Sequence, residues 1–371
     1  DKKKKCFRNK ILMDILAKYV QSGDVAGVEN SLECKIHDPV WFRKPTNKIG
    51  DTVLHLAARE GHKRILQTFG KYGGDFEVAN LDGKRPLHEA VLGEHLDCVE
   101  FLIHHGAVID TLKRADWTPL MLACTKSNLD VIKSLVDAEA DVTLKNKDGW
   151  TPFHIACREG HRDILLYLLE HDNSLWDTVS NNGRTPLHTA ALHGKLEATK
   201  LLVARGKYNI DSPDSCGSTP FIDAIRGGHV QTADWLLSNQ NVNLHKTDSM
   251  GREAVHLAAQ AGAVNSMQYL IGLCPELVNQ PTSTGLTNLH CAAKENQVEI
   301  IQYLIHLQCD VNMQDHKGHT ALHMAAGGQH MNSVEILLRH GAVDTPNLQG
   351  TLARDLARTN TLTQLFDKWA S

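Results

Sequence analysis

The sequence lacks any apolar run that approaches the length of a membrane span. About 18 consecutive apolar residues are needed to cross a bilayer, whereas the apolar stretch at residues 164–169 has only the length of a helix face. The nine cysteines form no Cys-x-x-Cys pair, and their odd number argues against a framework of disulfide bonds. We therefore expect no membrane partner and a reducing compartment, the cytoplasm or the nucleus.

Charge and motif content argue against two further classes of protein. The formal net charge is -4 and only 5% of the residues are aromatic, so the chain lacks the basic excess of a nucleic-acid-binding domain. It also has no Gly-rich phosphate loop, nucleophile elbow or kinase signature. We expect no direct nucleic-acid binding, no cofactor, no metal site and no enzymatic activity.

What the sequence has in abundance is a repeated tetrad, of which Thr151-Pro-Phe-His154 is a clear copy. The intervals between the first residues of successive copies are 33, 33, 33, 34, 34, 34, 34, 33 and 31 residues. A constant period of this length indicates a repeat array, in which each unit packs only on its neighbours. The copies begin at Thr52, Arg85, Thr118, Thr151, Thr185, Thr219, Glu253, Thr287, Thr320 and Thr351.

Each repeat has the same internal pattern: a turn with Asp or Asn and Gly, the tetrad, a short helix, a break and a longer helix. In the tetrad, Thr suits the N-cap and Pro suits the first helical position. This pattern resembles the ankyrin repeat family over residues 10–358. The resemblance implies an all-α solenoid of about ten to eleven helix-turn-helix repeats. The turns would form β-hairpin fingers, which line a concave binding surface together with the inner helices.

The pattern also predicts the organisation of the chain. We expect a disordered basic tip at 1–10, an N-terminal capping helix pair at 11–33, an irregular loop at 34–50, the repeat array at 51–358 and a C-terminal capping tail at 359–371. The loop either carries function or folds Trp41 and Phe42 back over the first helix pair. In the tail, Trp369 either helps to cap the last repeat or belongs to a free peptide motif.

The histidines and cysteines that invite a catalytic interpretation occur in phase with the repeat. In the ankyrin family, which the chain resembles, the last tetrad residue tethers the turn to the helix, so we expect a structural role for these histidines. They are His55, His88, His154, His188, His256, His290 and His323. Cys124, Cys157 and Cys291 fall among the small residues of the first helix of a repeat, where a buried Cys behaves as a compact apolar residue.

The fingers of the third to sixth repeats differ from later fingers in carrying cations and tryptophans. Trp117 and Trp150 are 33 residues apart and so occupy equivalent positions on adjacent fingers. Trp and Arg are enriched at the centres of protein interfaces, so we predict that these residues contact a partner with an acidic surface. The alternative is that Trp braces the hairpins and Lys keeps them solvated. The set, called the finger strip below, is Lys84, Arg85, Lys113, Arg114, Trp117, Lys145, Lys147, Trp150 and Arg184.

Three segments, residues 112–125, 144–160 and 184–194, are similar to the vertebrate ankyrin-repeat co-regulators of alanyl-tRNA synthetase editing. This resemblance implies a protein that binds alanyl-tRNA synthetase and limits serine mischarging, with finger lysines accepting misactivated serine. We expect the protein to be a monomer. Lys147 keeps the acceptor amine, and Lys113 is the second candidate because its neighbour is Arg114. Asp177 stands where a third acceptor is expected. The alternative is a scaffold that binds linear peptide motifs of signalling or ubiquitin-pathway proteins.

Overall fold

The computed structural model describes residues 2–35 and 42–369, with only the backbone for residues 2–11 and 34–35. The chain divides into two compact units, residues 1–181 (unit 1) and residues 182–371 (unit 2). Trp41, on which one interpretation of the irregular loop rests, lies outside the described residues. Within the described part, no helix combines the length and the apolar character that crossing a membrane would take.

Unit 1 is a series of helix pairs joined by turns. The second helix of each pair is usually longer than the first, as the repeat pattern predicts. A short 3-10 helix, Leu175–Asp177, follows the last pair. The α-helices are α1 Lys2–Ser22, α2 Val25–Lys35, α3 Val53–Arg59, α4 Lys63–Lys71, α5 Pro86–Leu92, α6 Leu96–His104, α7 Pro119–Ala123, α8 Leu129–Asp137, α9 Pro152–Glu159 and α10 Arg162–His171.

Unit 2 continues the same arrangement of helix pairs. Two 3-10 helices, Pro275–Asn279 and Ala353–Leu356, stand in its connections. Its α-helices are α11 Pro186–Leu192, α12 Leu196–Arg205, α13 Pro220–Arg226, α14 Val230–Asn239, α15 Ala254–Ala261, α16 Val264–Leu273, α17 Asn288–Lys294, α18 Val298–His306, α19 Ala321–Gly327, α20 Met331–Arg339 and α21 Asn360–Trp369.

The tetrad determines where the first helix of each pair begins. Thr151 is the N-cap of α9, and its Oγ1 accepts a hydrogen bond from the backbone N–H of His154 at 3.4 Å. Pro152 occupies the first helical position, where its missing N–H leaves no partner unpaired. The helix ends at Gly160 with φ 79°, a left-handed conformation that glycine adopts without a steric penalty.

The core of each unit lies between successive helix pairs. In unit 1 the first helices α3, α5, α7 and α9 pack in sequence, and the alanines at their contacts are buried, among them Ala57, Ala58 and Ala90. The predicted all-α repeat solenoid is thereby confirmed. Within the described residues, strand structure is limited to isolated bridges between Lys113 and Trp117 and between Thr247 and Glu253, so the predicted hairpin fingers are only a minor feature.

The predicted division of the chain into a tip, a capping pair, a loop, an array and a tail stays a prediction. At the ends of the chain, the helices differ in detail from it. The backbone of residues 2–10 belongs to helix α1, where the sequence predicts a disordered tip; lysine is a good helix former, so its run continues the helix. In the loop, Phe42 packs edge-on against Phe69 of α4, with ring centroids 5.4 Å apart. In the tail, α21 packs against α20 and buries Leu362 and Phe366.

Candidate protein-interaction surface

Several tetrad histidines hold one repeat to the next. The backbone N–H of Thr52 donates to Nδ1 of His55 at 3.2 Å, and Nε2 of His55 donates to the backbone oxygen of Lys84 in the following repeat at 2.8 Å. The ring must therefore be neutral, with its proton on Nε2. The same pair of contacts occurs in unit 2 at His256, His290 and His323.

These histidines and the neighbouring cysteines are placed for packing and not for proton transfer. Burial is the main cause that lowers the pKa of six tetrad histidines, and it lowers the pKa of His88 to about 4; the six are His55, His88, His188, His256, His290 and His323. Burial also raises the pKa of Cys291 to about 11 and that of Cys157 well above the usual thiol value. Since the thiolate is the nucleophile, these thiols are unreactive at neutral pH. Among the described residues, no cluster of three or more His, Cys, Asp or Glu is placed to hold a metal.

One position at the tip of each finger is exposed in phase with the period of the repeat. We define the tip residue as the residue four positions before the tetrad begins. In unit 1 the tip residues are Lys48, Leu81, Arg114, Lys147 and Asn181. In unit 2 they are Ser215, Ser249, Ser283 and His316.

Backbone hydrogen bonds lock the tips of unit 1 into a row. After Lys48, the N–H of each tip residue donates to a carbonyl oxygen of the preceding finger, so this backbone is paired while the side chains project. The four bonds are Leu81 to Ile49 at 3.0 Å, Arg114 to Asp82 at 2.7 Å, Lys147 to Ala115 at 3.1 Å and Asn181 to Asp148 at 3.1 Å. The row is therefore a fixed display of side chains at one per repeat.

Three cations of the finger strip are engaged by carboxylates of the chain itself. Lys84 forms an ion pair with Glu89 at 3.2 Å, and Arg85 forms one with Glu77. The side chain of Arg184 is only 13% exposed and pairs with Asp214 at 3.0 Å and Asp223 at 2.7 Å. These contacts make Arg184 part of the packing of unit 2, which its position in a finger did not indicate.

The remaining cations of the strip are more open to a partner. The side chain of Arg114 is 82% exposed, and its nearest carboxylate is Asp82 at 3.6 Å. Lys147 is exposed, and no ion pair within the described residues involves its amine. Lys145 is also exposed, and its Nζ donates to the backbone oxygen of Val179 at 2.8 Å. The open positive charge of the strip therefore lies on the adjacent fingers at residues 113–117 and 145–150.

Both tryptophans of the strip are half-buried at the base of these fingers. The Trp150 ring stacks on His154, with centroids 6.4 Å apart, and the guanidinium of Arg158 lies 5.8 Å from the Trp150 ring. The Nζ of Lys113 lies 5.4 Å from the Trp117 ring. Burial, and next the charge of Lys84, lower the pKa of Lys113. Each ring therefore has a contact within its own repeat, and both residues are half-buried.

The finger at residues 113–117 differs from its neighbours in backbone conformation and in the hydrogen bonds of its turn. Ala115 and Asp116 have φ of 66° and 60°, a region that costs a non-glycine residue about 1–2 kcal/mol. In the next finger, Oδ1 of Asn146 accepts two backbone N–H groups, whereas Lys113 at the equivalent position has no such oxygen. Strained backbone tends to persist at functional sites. The sequence does signal this irregular turn, because the finger lacks the glycine of its neighbours. The prediction from charged and aromatic residues did not take this absence into account.

Comparison with known proteins gives the family. The family described as "Ankyrin repeats (3 copies)" matches residues 16–113, 108–178, 172–248 and 239–315, and the one described as "Ankyrin repeat" matches residues 317–350. Together these matches cover most of the chain. Ankyrin repeats imply a protein–protein interaction module, generally one without catalytic activity.

Similar proteins share only short segments with this chain. It is 39% identical over 75 residues to Potassium channel AKT1 of Oryza sativa subsp. indica, covering 20% of this chain and 8% of that protein. It is 38% identical over 95 residues to Ankyrin repeat and KH domain-containing protein mask-1 of Caenorhabditis elegans, covering 25% and 3%. It is 46% identical over 54 residues to the human Notch-regulated ankyrin repeat-containing protein, covering 15% and 47%. The chain thus spans less than two thirds of each of these relatives, and it belongs to the ankyrin repeat family.

Proposed function

We propose that the open fingers of unit 1 bind a protein partner with an acidic surface, and that this partner is alanyl-tRNA synthetase. The observation that supports the proposal is the pair of exposed cations on adjacent tips, Arg114 and Lys147, which the chain leaves largely unneutralised. Complementary charge across an interface speeds association and selects the partner. The choice of synthetase rests on the resemblance of residues 112–125, 144–160 and 184–194 to ankyrin repeat domain-containing protein sixteen.

In this proposal, the chain limits serine mischarging while it is bound to alanyl-tRNA synthetase, because one of its lysines accepts the seryl group. The neutral amine of Lys147, or that of Lys113, would attack the carbonyl carbon of seryl-adenylate. An amide bond would form, AMP would leave with the bonding electron pair, and the amine would lose a proton to water. Holding the amine beside the adenylate accelerates the step by proximity, so the chain needs no catalytic site of its own. Lys147 is the better placed of the two because its side chain is exposed.

The test is binding of purified alanyl-tRNA synthetase to the full chain. We expect a complex that charge reversal at Lys113, Arg114 and Lys147 weakens at least about tenfold, or 1.4 kcal/mol. Unchanged affinity in the triple variant would remove the open fingers from the interface. Mass spectrometry after incubation with the synthetase, ATP and serine would detect seryl-lysine. Binding without such an adduct would retain the partner and exclude the acceptor chemistry.

The second candidate function is a scaffold that binds linear peptide motifs of signalling or ubiquitin-pathway proteins. It is favoured by a groove of about 460 Å³ in unit 2. Its lining includes Lys294 and Glu295, which would offer one charge of each sign to a peptide, and Met324 and Leu356, which would offer an apolar surface. Affinity capture from cell extract separates the two candidates. Recovery of the synthetase supports the first, and recovery of unrelated proteins through this groove, lost in a Met324→Glu variant, supports the second.

A further inference from the structure

The tip row of unit 1 presents cations and an aliphatic side chain in a fixed order. Lys48, Leu81, Arg114 and Lys147 follow one another on successive fingers, and all four side chains are exposed. Leu81 is 80% exposed, which is unusual for so large an apolar residue. A ligand that satisfies the row must therefore supply, in the same order, an acidic, an apolar, an acidic and an acidic group.

The spacing of the row restricts the conformation of such a ligand. Backbone hydrogen bonds join each tip to the finger before it, so the tips advance by one repeat at a time. Packed helices lie about 8–10 Å apart, and the tips therefore advance by a similar distance. The ligand side chains that contact successive tips must therefore also be about 8–10 Å apart.

Among regular backbones, polyproline II matches this spacing. It has three residues per turn and a rise of about 3.1 Å, so every third side chain lies on the same face at intervals of about 9 Å. A β-strand places every second side chain on one face at about 7 Å. An α-helix advances by about 5.4 Å per turn.

The half-buried tryptophans at the base of the same fingers fit this conformation. Trp117 and Trp150 stand one repeat apart, and each residue is only half-buried. Aromatic rings in grooves are what proline-rich extended segments dock against in other recognition modules. Residues of the ligand between the acidic positions would thus meet an aromatic and apolar surface.

We propose that the tip row of unit 1 binds an extended acidic segment in the polyproline II conformation, with an acidic–apolar–acidic–acidic pattern at every third residue. This inference rests on the proposed function, because it describes the part of the protein partner that the fingers contact. The segment's carboxylates pair with Lys48, Arg114 and Lys147, and its apolar side chain packs on Leu81.

The test uses the full chain and a labelled, end-capped peptide, Glu-Pro-Pro-Leu-Pro-Pro-Glu-Pro-Pro-Glu, together with its reversed sequence, because a polyproline II segment can dock in either direction. Fluorescence anisotropy should show binding of at least one of the two peptides. Affinity should fall at least about tenfold in R114E/K147E and several-fold in Leu81→Ser. The matched control, S215E/S249E, changes two tips of unit 2 and should leave the affinity unchanged.

A third peptide of the same composition, with its glutamates at every second residue, tests the spacing. It should bind at least about tenfold more weakly. The inference is overturned if neither period-three peptide binds, if the third peptide binds equally well, or if R114E/K147E binds like the wild type. Absence of peptide binding in a chain that still binds the synthetase rejects only the segment. Peptide binding without synthetase binding rejects only the proposed partner.

Discussion

The fingers of unit 1 and unit 2 share a backbone arrangement and differ in what their tips display. In both units the tip N–H donates to the preceding finger, as Arg114 does to Asp82 at 2.7 Å and Ser249 does to Cys216 at 2.9 Å. The side chains at three successive tips are Leu81, Arg114 and Lys147 in unit 1, whereas three successive tips of unit 2 carry serine. The hydrogen bonds that hold the repeat together are therefore independent of the side chains that a partner would meet.

The same contrast separates two kinds of arginine. Arg184 lies in a finger of unit 2 and is enclosed by Asp214 and Asp223, so its charge serves the fold. Arg114 lies in a finger of unit 1 and projects from it, so its charge remains available. Position within the repeat is a poor guide to the role of a cation when the neighbouring carboxylates are unknown.

The largest expected effect on stability is one that ought to be common to both units, namely destabilisation by acid. Six tetrad histidines have a folded pKa below the unfolded value of about 6.5, so the folded state favours the neutral ring. Stability is fully present above pH 6.5 and falls as the pH drops towards the folded pKa, which is about 4 for His88. Such a histidine then costs up to about 1.4 kcal/mol per pH unit, which for His88 is about 2 kcal/mol at pH 5, and the other histidines with a lowered pKa act in the same direction.

Thermal unfolding at pH 7.5, 6.0 and 5.0 measures this loss. Hydrogen exchange of the first helices locates it, and we expect α3 in unit 1 and α17 in unit 2 to lose protection together. The histidine tether would be contradicted by equal melting temperatures at pH 7.5 and 5.0. A loss of stability at low pH in only one unit would show that the two units do not depend on their tetrad histidines in the same way.

Replacement of the enclosed arginine should have the next largest effect. Arg184→Ala leaves Asp223 buried with one partner fewer, since Arg226 at 3.0 Å remains. Removing one member of a buried ion pair typically costs about 3–5 kcal/mol. The matched variant Arg114→Ala removes an exposed charge and should cost at most about 0.5 kcal/mol. Urea unfolding compares the two, and equal losses would erase the distinction between these arginines.

Trp150→Ala tests whether the ring braces its finger. The ring is half-buried and stacks on His154 beneath Arg158, so we expect a loss of about 1–2 kcal/mol from apolar burial and the aromatic contact. The conservative variant Trp150→Phe should recover part of this loss. If urea unfolding gives the variant the same stability as the wild type, the ring does not brace the finger and serves only partner binding.

The smallest expected effect is at the irregular finger of unit 1. Ala115 has φ 66°, and glycine adopts this conformation without steric strain, so Ala115→Gly should raise stability by up to about 1 kcal/mol. Ala123→Gly in helix α7 is the control and should lower stability, since glycine is unfavourable within a helix. A destabilised Ala115→Gly protein in the same urea assay would show that this finger is not strained.

Periodicity in the sequence was sufficient to predict the repeat, its helix starts and the buried histidines, because each depends on local capping and a recurring core position. Thr151, Pro152 and His154 behave as the tetrad predicts. Periodicity could not predict which finger cations are accessible, because ion pairs such as Arg184 with Asp223 join residues 39 positions apart. The left-handed backbone of Ala115 was likewise hidden, since the sequence shows only that a glycine is missing.

The most direct test of the central claim is the affinity of alanyl-tRNA synthetase for tip variants, measured by titration calorimetry at low salt. We expect R114S/K147S, which gives two tips of unit 1 the serines of unit 2, to bind at least about tenfold more weakly than the wild type. The control S215A/S249A should bind like the wild type. Equal affinity of R114S/K147S and the wild type would contradict the account, because the tips of unit 1 would then contribute nothing to recognition.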